Sequence, residues 1–143
     1  MRRKQLKVLF GLYCLLMLWL LLGQRLGHSA HIPMQLKPFA TIGWFVRVLG
    51  SRADQVSRFV AWKNLLGNVI MFIPLGFFVP LLWEKNRNFL KHLGWMFAII
   101  LAVELLQYVT GLGTCDVDDL ILNILGTSFG WLAWKLCPKI VKS

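Results

Sequence analysis

Residues 65–83 read LLGNVIMFIPLGFFVPLLW, nineteen positions without a charge. At 1.5 Å per residue a helix of that length covers about 28 Å, close to the ~30 Å of a bilayer's hydrocarbon core. Such a run can be a membrane span, and the rest of the chain bears that reading. Val8 to Gly23 is uncharged, and Leu6 extends it while Lys7 reaches back to the headgroups. Leu93 to Val109 is broken only by Glu104, and Leu120 to Trp134 continues into Lys135. The expected fold is all-α. It is a single-domain integral membrane four-helix bundle over 1–143, with spans at about 6–23, 65–83, 93–109 and 119–136.

Composition agrees. Apolar residues make up 57% of the 143, and only 15% are charged. A soluble domain this small leaves much of its surface in water and needs more polar cover. A cytosolic enzyme, a disordered chain and a disulfide scaffold are all disfavoured. The net charge is +10, but the basic residues flank the apolar runs and form no aromatic-interleaved patch. Topology and anionic headgroups account for them, and nucleic acid is not an expected partner. The bilayer is.

The first run resembles a signal peptide at its start. Cleavage after Ala30 or Gly27 would place His28 or Arg25 where a small residue belongs, so an uncleaved span is expected. Segments 1–7, 84–92 and 135–143 hold ten Lys and Arg in 25 residues, against six in the 51 residues of 24–64 and 110–119. Dense positive charge stays inside. Both termini are therefore expected in the cytoplasm of a plasma-membrane protein. Within the long outer loop, Val56, Phe59, Val60 and Trp62 recur at helical spacing. Residues 41–63 read either as a helix lying in the headgroup layer or as a segment packed on the bundle. Cys14, Cys115 and Cys137 fall at three different depths, so a disulfide is not expected. Cys14 and Cys137 read as small buried apolar residues. His28 and His31 read as a solvated pair, and His92 as interfacial.

Polar groups inside spans are costly unless they face the bundle interior or a wet cavity. Asp119, Asn123, Gly126 and Gly130 fall within about 60° of one another on a helix. The glycines let a neighbouring backbone approach. Asn64, Gly67 and Asn68 share a face, as do Glu104 and Gln107. Asp116 reads as an N-cap, with Asp118 and Asp119 on the positive end of the helix dipole. Asp119 then faces the bundle, while Asp118, rotated about 100° from it, points elsewhere and matters least. Three helices thus carry amides and acids in the outer third and almost none in the inner third, suggesting a site open to the outside.

These residues carry a resemblance. Asn64-Leu-Leu-Gly-Asn-Val-Ile-Met-Phe-Ile-Pro-Leu-Gly76, Glu104-Leu-Leu-Gln107 and Asp116-Val-Asp-Asp-Leu-Ile-Leu-Asn-Ile-Leu-Gly126 resemble the signature of the VanZ-like family, in order and spacing. Leu36-Lys-Pro-Phe39 resembles an element that precedes the second span in that family. The match covers about 36–131. The resemblance implies a bacterial envelope membrane protein, in some members raising resistance to glycopeptides such as teicoplanin.

Three functions remain in competition. A non-enzymatic outer pocket would bind an envelope lipid or lipoglycopeptide through Asn64, Asn68, Gln107 and Asn123, with Gly67, Gly126 and Gly130 packing the helices. An enzyme would transfer or hydrolyse a group on an envelope lipid. There Glu104, Asp116 and Asp119 would act as general acid and base or hold a divalent cation. A small transporter or flippase comes third, because no inner-side path matches the outer acids.

Overall fold

The computed structural model describes residues 3–22, 34–112 and 115–137. The histidine pair His28 and His31 and the cleavage positions lie outside them. Five α-helices follow one another: α1 (Arg3–Leu22), α2 (Ala40–Gly50), α3 (Gln55–Leu82), α4 (Phe89–Val109) and α5 (Val117–Leu136). A 3₁₀ turn, Glu84–Asn86, joins α3 to α4. Of the expected spans, α1, α3 and α4 are long and apolar enough to cross a membrane. The fourth expected span falls on α5, which has similar length but carries Asp118 and Asp119 in its first turn and Lys135 in its last.

The outer loop differs from expectation. Residues 41–63 are not one element. The apolar group Val56, Phe59, Val60 and Trp62 belongs to α3, which starts at Gln55 and runs unbroken through Pro74 and Pro80. Asp54 fixes that start, its carboxylate accepting from the Ser57 amide at 3.0 Å and hydroxyl at 2.6 Å. Twenty-eight residues make about 42 Å of helix, so α3 outruns the hydrocarbon by roughly two turns. Its charged first turns can then stand clear of it.

The tightest seam joins α3 to α5, which run parallel. A side chain at Gly126 would strike the Val69 carbonyl, one at Gly130 the Ile73 carbonyl, and one at Gly76 the Thr127 main chain. Hydrogen at these Cα atoms is what lets the backbones touch. Gly67, expected to pack as well, meets nothing within 4 Å. The close approach on α3 is made two to three turns further along, by Gly76.

On α4 the buried residues are His92, Met96, Ile100, Glu104 and Gln107, a stripe of helical period facing the bundle. His92 is therefore not interfacial but fully buried, because the stripe starts one turn into α4. The end of the bundle expected to lie inside is thus less apolar than expected. Against this core, α1 lays Phe10, Tyr13, Met17 and Leu21. The Tyr13 hydroxyl donates to the Met71 carbonyl at 2.7 Å, in the turn of α3 where Pro74 disturbs the hydrogen-bond ladder. The other face of α1 carries Leu15 and Trp19, 65% and 62% exposed. Apolar surface on that scale belongs in lipid. Among the cysteines, Cys115 is buried, Cys14 half-buried and Cys137 exposed. Cys137 stands just past the last turn of α5, off the stripe that packs on the bundle.

Candidate functional site at the outer end of the bundle

The acidic turn holds the fold together. Asp116 caps α5, its Oδ1 accepting from the Asp118 amide at 2.8 Å. Its Oδ2 accepts from the Thr41 hydroxyl at 2.7 Å. Gln35 lies alongside, donating to the Cys115 carbonyl at 3.0 Å and accepting from the Val117 amide at 3.1 Å. The chain before α2 is thereby tied to the chain before α5.

Asp118 overturns the expectation that it matters least. It is fully buried, and its carboxylate accepts from three backbone amides: Phe39 at 2.6 Å, Thr41 at 2.8 Å and Ile42 at 2.9 Å. These amides open α2, so a residue from another helix does the work of an N-cap. Asp118 does turn away from Asp119, which meets Asn68 of α3, and what it points at is the start of α2. Phe39 itself takes a left-handed conformation, φ 62° and ψ 12°, unusual for a residue with a side chain. The Leu36-Lys-Pro-Phe39 element and the Asp116–Asp119 element thus meet as donor and acceptor.

Other expected ligand groups also have internal partners. Asn68 donates to Asp119 Oδ1 at 2.5 Å, linking α3 to α5. Gln107 donates to the Leu21 carbonyl at 2.9 Å, satisfying a helix-terminal carbonyl of α1. Asn64 donates to Val60 of its own helix at 2.8 Å. Among the described residues no three His, Cys, Asp or Glu side chains are grouped to hold a metal ion. The Asp116 and Asp119 carboxylates take separate partners, Thr41 and the Asp118 amide for the first and Asn68 for the second.

Two further groups turn inward at one level. Glu104 lies five residues from the C-terminal end of α4 and Asn123 six from the N-terminal end of α5, each about 8–9 Å down. Both are buried, and Asn123 Oδ1 accepts no hydrogen bond from the described residues. Near Glu104 and Asp116 lies Cys115, which a reading for acids and amides passes over. Burial raises its thiol above the ordinary range, and the charges of Glu104 and Asp116 push further the same way. At neutral pH it is a thiol, unsuited to nucleophilic attack.

Comparison with known proteins matches residues 9–138 to the VanZ/LLP1 family. The chain belongs to that family. It is similar to Protein VanZ of Enterococcus faecium, 25% identical over 134 residues, which cover 90% of this chain and 70% of that protein. No solved structure matches it. Membership of the VanZ/LLP1 family and three membrane-length apolar helices together make this a membrane protein.

Proposed function

We propose that this VanZ/LLP1 member works in the bacterial plasma membrane, with both termini and residues 84–92 in the cytoplasm and the acidic turn outside. In this reading α5 crosses with its partner α3, and the outer end of the bundle faces the cell envelope. There it binds an envelope lipid or a lipophilic glycopeptide and so alters susceptibility to drugs such as teicoplanin. The similarity to Protein VanZ supports the envelope role.

The observation that carries the site is Asn123. Its buried Oδ1 lacks a donor among the described residues, and an unsatisfied buried acceptor costs about 1–3 kcal/mol unless something fills it. Glu104 at the same level supplies a carboxyl. A ligand bearing hydroxyl or amide donors suits both. Binding is favoured over catalysis because Asp116 and Asp119 already hold internal partners and Cys115 is held as a thiol.

Teicoplanin tolerance and membrane abundance measured side by side for Glu104→Gln and Asn123→Leu test this. Each variant should lose tolerance at normal abundance. Full tolerance in both would sink the outer site, and tolerance lost only in step with abundance would reduce the pair to structural residues.

A further inference from the structure

A groove of about 430 Å³ opens at the opposite end of the bundle, between α1, α3, α4 and the Glu84–Asn86 turn. It is graded along its length. Lys85 and Asn86 stand at its mouth with Trp83, Trp95 lies about 9 Å along α4, and Leu75 and Ile99 wall the far end. Leu75 lies eight residues before Trp83, about 12 Å further along the helix. Indole side chains gather at the membrane–water interface, so the mouth sits at headgroup depth and the floor among acyl chains.

The charge at the mouth is uncompensated. Glu84 pairs with Arg87 at 3.4 Å, and no carboxylate among the described residues pairs with Lys85. A second cation is close: the Arg3 guanidinium donates to the Leu82 carbonyl at 3.4 Å, next in sequence to Trp83. Asn86 adds an amide. A cationic, hydrogen-bonding mouth above an apolar slot one chain long matches a single class of molecule in a bilayer.

We propose that this groove holds one acyl chain of an anionic phospholipid of the adjoining leaflet, its phosphate bound by Lys85 and Asn86. The site is distinct from the acidic turn and independent of whether the outer end binds a drug or an envelope lipid. Each basic residue near a headgroup favours an anionic lipid by roughly fivefold. The lipid would also fill the space between α1, which is lightly held, and the rest of the bundle.

The full chain, reconstituted in phosphatidylcholine and phosphatidylglycerol mixtures and released for native mass spectrometry, gives the retained lipids directly. Wild type should retain phosphatidylglycerol over phosphatidylcholine. Lys85→Gln, an exposed position that tolerates substitution, should reduce that preference about fivefold. Ile99→Trp should lower retention of both lipids by filling the slot. Lys4→Gln, on the exposed face of α1, should change neither. Equal retention of the two lipids by wild type would overturn the proposal. So would a loss in Lys4→Gln as large as in Lys85→Gln, which would reveal diffuse surface charge in place of a site.

Discussion

The backbone amide of Phe39 donates to Asp118 Oδ1 at 2.6 Å, joining positions 79 apart in the chain. Because Asp118 also takes the Thr41 and Ile42 amides, the left-handed turn at Phe39 and the first turn of α2 are fixed by α5. α2 is therefore no free-floating interfacial helix. It is anchored at its N-terminus by a buried charge and inserts Phe45 into the structure.

Asp118→Asn is expected to be the most damaging amide exchange in the acidic turn. An amide offers one acceptor atom where the carboxylate offers two, and it turns an N–H₂ toward backbone donors. Charge-assisted bonds of this kind contribute about 1.5–3 kcal/mol each, so a loss on the order of 2–3 kcal/mol is expected. Asp116→Asn keeps the cap and should cost about 1 kcal/mol or less. Melting of the purified variants in detergent ranks them; equal, mild losses would return the turn to simple dipole effects.

The α3–α5 seam makes a second expectation. Gly126→Ala, Gly130→Ala and Gly76→Ala each place a methyl group against a main chain that cannot step aside. Each should cost roughly 1–3 kcal/mol, the usual range for overpacking. Gly67→Ala meets open space and should be neutral or mildly stabilising, since alanine favours a helix more than glycine. Comparing the four melting temperatures checks the assignment, and a Gly67→Ala variant as unstable as the others would contradict it.

Cys115 gives a pH dependence. Its folded thiol titrates above the ordinary value, from burial first and then from Glu104 and Asp116. The folded state therefore holds the proton more tightly than the unfolded chain. The associated stability is complete below the ordinary thiol range and is lost as pH rises through the folded value. Wild type should lose melting temperature faster than Cys115→Ala on moving from pH 8 upward. Alkylation of Cys115 at pH 8 should also run slower than that of the exposed Cys137.

Topology is tested by labelling. With the three native cysteines replaced, Arg87→Cys should resist an impermeant thiol reagent added to intact cells and react once the membrane is opened. Ready labelling of intact cells would reverse the orientation and move the acidic turn to the cytoplasm.

Uncharged runs and Lys/Arg spacing were enough to read an all-helical membrane protein, because helices satisfy every backbone group within one segment and lipid demands that they do. The α5 stripe of Asp119, Asn123, Gly126 and Gly130 was legible for the same reason: a fixed 3.6-residue period converts spacing into a face. Tertiary structure alone decided where the acids go. Sequence assigns Asp118 to a direction around its helix but not to the three amides of residues 39–42 waiting there, which arrive from 76 to 79 positions upstream. Nor does periodicity reveal that Gln107 closes α1 or that Gly76, not Gly67, meets α5. Local pattern encodes which face of a helix is polar. Which partner satisfies that face depends on how helices distant in sequence dock, and only the assembled bundle specifies it.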